Sequence, residues 1–239
     1  DTTPGGAALK FYASQRIGLY GGKSLTKKIN ENLHFKFGIK NLYHRMIFTA
    51  AALVSERYGA DLNGIKNRGY EVFRNVIRDT IQKSLEDNKK QNMKLDILME
   101  VYIDIKMNIV ENKEAINDFI DCVIEISDSV NSDNWNGEDV MGIFFNEFNR
   151  YKKKSESGQV FTPDHITSLM YKILEVNAND KILDAACGSG AFLVKSMSNM
   201  IKEVGGINTK EAKKIKEHSL FGIEFDREIF ALACANMMI

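Results

Sequence analysis

From about residue 24 to residue 151, apolar residues recur three and four positions apart, the spacing that lines one face of an α-helix. The stretches NLYHRMIFTAAALVSERYG (41–59), GYEVFRNVIRDTIQKSLEDNKKQ (69–91) and LDILMEVYIDIKMNIVENKEAINDFIDCVIEISDSV (95–130) predict helices on this basis. In the second, Tyr70, Phe73, Ile77, Ile81 and Leu85 form one stripe, while Arg74, Arg78 and Lys83 fall outside it. No proline occurs between residues 24 and 150, which suits a helical bundle because nothing removes a backbone donor from a helix interior. Another amphipathic helix is expected from about Gly137, followed by a polar run where a domain boundary falls.

Beyond that run the pattern changes. TPDHITSLMYKILEV predicts a helix starting near Pro163, a residue whose missing N–H is harmless at a first helical position. DKILDAACG is a short buried strand, GAFLVKSMSNMIKEV a helix, EAKKIKEHS another, LFGIEFD a second strand and REIFALACANMMI a closing helix. Alternation of this kind is the opening of a parallel α/β sheet. The first 17 residues read as a Gly/Pro turn followed by an alternating strand, and GLYGG (18–22) as a linker. The expected organisation is therefore residues 1–22 as a strand segment with its linker, 23–150 as a helical domain, and 151–239 as an α/β part.

Composition narrows the function classes. Lys plus Arg equal Asp plus Glu at 32 each, so no global field draws the molecule to nucleic acid, and such binding must come from a local patch or a partner. Three widely spaced cysteines argue against a disulfide framework and for a reducing, cytoplasmic setting. There is no apolar run long enough for a membrane span and no signal-peptide pattern. The four histidines lack the short pairings of metal sites, so no metal is expected.

The candidate chemistry lies in the α/β part. In DAACGSGAF, Gly188 and Gly190 follow a strand, at the sheet edge where doubly wound folds bind ligands. Bare backbone there admits a ligand closely or makes a tight packing turn. The motif is neither G-x-G-x-x-G nor a P-loop, so dinucleotide and triphosphate readings lose support. Glu224, at the end of the next strand, is placed either to accept hydrogen bonds from both hydroxyls of a ribose or to stand solvated at a strand end. GQVFTP (158–163) offers an aromatic face, a helix-capping hydroxyl and an open helix N-terminus; it also reads as a plain N-cap with a hydrophobic staple. Cys187 near a helix start invites a nucleophile reading, but no histidine is paired with it by motif, and a loop-lining role is preferred. RYKKK (150–154) is either a phosphate contact or a solvated linker.

Taken in order, SGQVFTPDHITSLMYKIL, DKILDAACGSGAFLVKSM and FGIEFD resemble the adenine-specific DNA methyltransferases that form the modification (M) subunits of type I restriction systems, and related fused enzymes. The resemblance covers residues from about 140 to 239 and, more loosely, the helical block from about 24. It implies α/β architecture, with an N-terminal helical domain followed by the opening part of a Rossmann-like S-adenosylmethionine-dependent methyltransferase sheet. It also implies S-adenosylmethionine as cofactor, and as partners DNA and the specificity and restriction subunits of a type I-like complex. By the same resemblance, Phe161, Thr162, Pro163, Asp184, Ala186, Cys187, Gly188, Gly190, Phe192 and Glu224 hold the cofactor. One departure is Ala185, where the family more often has proline. The family draws out the adenine amino lone pair with an Asn (or Asp)-Pro-Pro-aromatic tetrad acting on a flipped base. The only prolines here are Pro4 and Pro163, so that tetrad is absent, no catalytic residue is assigned, and this chain is expected to be inactive alone.

TTPGGAALKFYASQRI resembles a segment of the RecA recombinases, without their nucleotide-binding loop, and reads as a rearrangement junction near Gly18 to Lys23 or as coincidence. Two rival functions stay open: a methyltransferase acting on a protein or small-molecule amide, and a non-catalytic helical assembly module.

Overall fold

The computed structural model describes residues 25–87, 93–105, 112–130, 137, 139–149 and 160–239. The expected N-terminal strand and linker, and the basic run 150–154, lie outside the described residues. The fold is a mostly helical α/β arrangement with a small two-stranded sheet.

The helical block is built around one helix whose middle is buried on every side. Helix α1 (Leu25–Glu31) runs into a π-helical turn (Asn32–Lys36), and α2 (Leu42–Arg57) follows, its first turn capped by Asn41, whose side chain accepts from Tyr43 N–H at 2.7 Å. In α2, Met46, Ile47, Phe48, Ala50, Ala51, Ala52, Leu53 and Val54 are all buried. A helix apolar on every side belongs inside a protein rather than on its surface. Around it stand α3 (Tyr70–Asp87), α4 (Met93–Asp104), α5 (Lys113–Val130) and α6 (Val140–Asn149). Of the α3 stripe, Tyr70, Phe73, Ile77 and Ile81 are buried as the spacing predicts, and the Leu85 side chain lies outside what is described. At the centre, the Phe48 ring lies 5.4–5.9 Å from those of Phe37, Phe73, Tyr102 and Phe119, in tilted and offset arrangements favoured by the ring quadrupole.

The apolar period over 95–130 marks no boundary within the stretch, and the chain forms two helices there, α4 and α5. Asn112 explains the restart of α5: its side chain accepts from Ala115 N–H at 3.1 Å, an N-cap that begins a new helix.

The remaining elements are α7 (Asp164–Ile173), β1 (Ile182–Asp184), α8 (Ala191–Glu203), α9 (Lys210–His218), β2 (Leu220–Gly222) and α10 (Arg227–Asn236). Strands β1 and β2 pair in parallel, with Ile182 opposite Leu220 and Asp184 opposite Gly222. The second strand is shorter than LFGIEFD suggested; Ile223 and Glu224 lie beyond its end. A small core of Ile182, Cys187, Leu193, Met200, Ile215 and Ala233 holds this part together.

Helix α10 belongs to both cores. Ile229, Ala231, Leu232 and Ala235 pack into the bundle core, while Ala233 faces the small one. Arg227 reinforces the docking through Glu100 at 2.8 Å and Asp104 at 3.3 Å on α4. Among the described residues no helix is long and apolar enough to cross a membrane.

Candidate functional site

The chain leaves β1 at Asp184, passes Ala185 and Ala186 exposed in a turn, and buries Cys187 before the two glycines. Gly188 has φ +55° and Gly190 φ +82°, left-handed backbone that glycine adopts without steric penalty. Gly190 is also the N-cap of α8. The turn closes on itself through Gly190 N–H to Cys187 O at 2.8 Å, and it continues the strand pairing through Cys187 N–H to Ile223 O at 2.9 Å. That second bond carries the end of β2 alongside the turn and delivers Glu224 to it.

Glu224 Oε2 accepts from Gly188 N–H at 3.0 Å, and Oε1 accepts from Asp226 N–H at 2.9 Å. Thirty-six residues apart in sequence, the bare turn and the acid thus share one edge of the sheet. Each carboxylate oxygen can accept more than one hydrogen bond, so capacity for further donors remains. The two glycines differ in what surrounds them. A Cβ on Gly188 would meet no atom within 4 Å, so the space before it is open, whereas one on Gly190 would touch Ala233 of α10 at 3.6 Å. Only Gly188 has the open approach expected of both; Gly190 faces the neighbouring helix. A third glycine, Gly222, is dictated by packing: a Cβ there would stand 2.9 Å from Leu193 Cδ1 and 3.0 Å from Cys187 Sγ.

The F-T-P segment sits differently from its expected geometry. Phe161 is buried and stacks on Phe145 of α6, centroids 4.3 Å apart and planes 29° from parallel, so its ring serves packing rather than presenting an open face. Pro163, not Thr162, occupies the N-cap of α7, and no side chain caps it. Thr162 is exposed one residue upstream, and the helix begins at Asp164. Extended backbone at Pro163, with ψ 146°, places it outside the helix, which is why the capping hydroxyl falls out of register. Asp164 itself is tied to α8 by a 2.8 Å ion pair with Lys195, whose side chain is almost wholly buried. Phe192 is half-buried against the small core.

Burial pushes the Cys187 thiol up to about 11, and the negative charges of Asp184 and Glu224 push the same way. Burial thus opposes the thiolate that a nucleophile needs, which favours the loop-lining reading. The structure also adds residues that the motif pattern did not single out: Lys195 with Asp164, Phe225, whose side chain is fully exposed beside Glu224, and the buried set Asp139, Ser189 and Asn236. For Phe225 alone a sequence signal existed, an aromatic immediately after the strand-end acid; the others are contacts across long separations.

Residues 136–239 match the N-6 DNA Methylase family. The chain is 38% identical over 117 residues to the type II restriction enzyme and methyltransferase RM.BcgI of Heyndrickxia coagulans, an alignment covering 48% of this chain and 18% of that protein. It is 32% identical over 105 residues to the type I restriction enzyme HindI methylase subunit of Haemophilus influenzae, covering 43% of this chain and 22% of that one. The corresponding figures for the MjaVII methylase subunit of Methanocaldococcus jannaschii are 29% over 87 residues, 36% and 13%. The chain thus spans less than a quarter of the length of each of these relatives. It is similar to DNA N6 methyltransferases of restriction-modification systems.

Proposed function

We propose that this chain supplies the helical block (23–150) and the cofactor-binding opening (151–239) of an S-adenosylmethionine-dependent DNA adenine-N6 methyltransferase of a restriction-modification system, with β1 and β2 as strands of a Rossmann-like sheet. The observation that carries the proposal is the 3.0 Å contact between Gly188 N–H and Glu224 at one strand edge, with open space before Gly188. The residues present fit such a cofactor. Glu224, only partly buried, retains lone pairs for a pair of vicinal hydroxyls; Gly188 leaves room for close approach; the exposed Phe225 ring offers a face for a purine. Asp184, Ala186 and Cys187 shape the wall of the turn, and Phe161, Thr162, Pro163, Gly190 and Phe192 position the helices that flank it. When bound, S-adenosylmethionine supplies an electrophilic methyl group on sulfonium.

DNA is the proposed methyl acceptor of the assembled enzyme, in the cytoplasm, with specificity and restriction subunits as partners. The neutral balance of charge in this chain accords with target recognition residing elsewhere. These 239 residues contain no Asn/Asp-Pro-Pro-aromatic tetrad, so cofactor binding without methyl transfer is the activity proposed for the chain itself.

Isothermal titration of the folded chain with S-adenosylmethionine tests the reading. One-site saturable heat is expected, and Glu224→Gln should weaken binding by about tenfold or more, the scale of a lost hydrogen bond to a charged group. A chain with intact circular dichroism and no heat overturns the proposal.

A further inference from the structure

Ser189 is held by more than its neighbours in the turn. It is buried, and its hydroxyl donates to Asp139 Oδ2 at 2.7 Å, while its carbonyl accepts from Asn236 Nδ2 at 3.0 Å. The same Asn236 nitrogen donates to Asp139 Oδ1 at 2.7 Å. Asp139 stands immediately before α6, and its Oδ1 also accepts from Gly142 N–H at 2.7 Å as the N-cap of that helix. One carboxylate therefore joins three parts of the molecule: the start of α6, the end of α10, and the residue between the two flexible glycines.

An N-cap alone does not call for this arrangement, because a serine or a solvated aspartate caps as well. Here the carboxylate is buried, and among the described residues no basic side chain pairs with it; only neutral donors satisfy it. Burial without a counter-ion raises the pKa of Asp139, and its hydrogen bonds from Ser189, Gly142 and Asn236 oppose that rise. The residues on either side of Ser189 are the positive-φ glycines, which carry no side chain to fix them. Both polar groups of Ser189, hydroxyl and carbonyl, are the points by which the turn is gripped. From the turn, Gly188 N–H passes the constraint on to Glu224. Gly137 presses on the same region: a Cβ there would collide with the Ser198 side chain of α8, so its backbone is seated directly against the helix the turn feeds.

We infer that Asp139 is a positioning residue for the cofactor turn, so that the docking of the helical block, through α6, sets the affinity of the site for an adenosyl cofactor. The inference rests on the function proposed above for the Gly188–Glu224 edge. Binding at the turn and seating of α6 are then linked, each favouring the other by the same factor.

Three variants test this, read by cofactor affinity, thermal melting and amide exchange. Ser189→Ala removes the hydroxyl donor and leaves the α6 cap intact. Asp139→Ser keeps a capping oxygen for Gly142 but loses the second oxygen. Each is expected to weaken S-adenosylmethionine binding by about tenfold, and the double variant by little more than either alone, as coupled groups do. Phe73→Leu, a buried core change in α3 away from α6, should lower the melting temperature without changing the dissociation constant of the folded chain. Amide exchange of Gly188 and Gly190 should quicken in Ser189→Ala and Asp139→Ser while the α2 amides keep their protection. Unchanged affinity in both polar variants, fully additive effects, or an equal loss of affinity in Phe73→Leu overturns the inference. If the unaltered chain binds no cofactor, the assigned function fails, and the exchange data alone still decide whether Asp139 fixes the turn: unaltered protection at Gly188 and Gly190 rejects it.

Discussion

The helical block and the α/β part bury apolar surface in opposite ways. In the block, apolar side chains of the helices and the π turn converge on α2 and a nest of aromatic rings, and among the described residues Phe35 and Ile103 are the large apolar groups at least half exposed. In the α/β part, a cluster of six buried residues forms the core, and large apolar groups stay in solvent on the sheet and just past it: Leu183 is 64% exposed, its cross-strand partner Phe221 47%, and Ile223, beyond the end of β2, 56%. Exposed apolar residues also line α7, at Leu169, Met170 and Ile173. A two-stranded sheet with so small a core is marginal in water. The difference teaches that the candidate site borrows its rigidity. Helix α10 roots it in the bundle, the Asp164–Lys195 pair ties α7 to α8, and Asp139 pins the turn.

The sharpest way to break that comparison is to destroy the bundle and ask whether the site survives. Phe48→Ala removes the ring at the centre of the aromatic nest and is expected to cost about 3–5 kcal/mol. Urea unfolding followed by far-ultraviolet circular dichroism should shift in midpoint, with protection of the β1 and α8 amides lost in the same transition. Persistence of those amides after the bundle has melted would show an independent α/β unit. Leu232→Ala tests the root itself. It leaves the aromatic nest untouched but empties a fully buried position on α10, at an expected cost of about 2–5 kcal/mol. Cofactor binding should weaken with it, since α10 carries Asn236.

Cysteines mark both regions and the helix between them. Cys122 lies in the bundle, Cys187 in the turn and Cys234 on α10, and burial pushes all three thiols upward, to about 11, 11 and 12. The folded state thus holds these protons more tightly than the unfolded chain does. Their contribution to stability is complete below the ordinary thiol value near 9 and is lost as pH rises through 11. Urea midpoints measured at pH 8, 9.5 and 10.5 should fall in that order, and Cys122→Ala or Cys187→Ala should each flatten the fall. A midpoint that does not move between pH 8 and 10.5 would contradict the burial of these thiols.

What sequence alone made visible follows the range of the interaction. The Gly188 turn was legible because left-handed backbone demands glycine locally, and Glu224 because a strand end places its residue on a known edge. The α3 stripe was legible from spacing alone. The helical pattern over 95–130 did not locate the start of α5, because the Asn112 cap leaves the apolar period unchanged. The F-T-P segment was read one residue out of register: cap position depends on the backbone angle at Pro163, which the letters do not specify. Asp139, Ser189 and Asn236 were invisible because their contacts join residues 47 to 97 positions apart. The alanine-rich face by which α10 enters the bundle resembles any short helix until its neighbours are in place.

The smallest expected effect sharpens the comparison most directly. Leu183 and Phe48 are both large apolar residues inside regular elements, yet one is mostly in water and the other fully buried. Apolar area already exposed contributes little to stability when it is replaced, so Leu183→Ser should alter the urea midpoint by no more than the equivalent of about 0.5 kcal/mol. Its effect should instead appear in solution behaviour. Neighbouring apolar groups at Leu183, Phe221 and Ile223 form the kind of exposed patch that promotes association. Light scattering at rising protein concentration should show less self-association for Leu183→Ser than for the unaltered chain. A loss of stability approaching that of Leu232→Ala would mean that this face is covered in solution, and that the α/β part is held together by more than its six buried residues and its ties to the bundle.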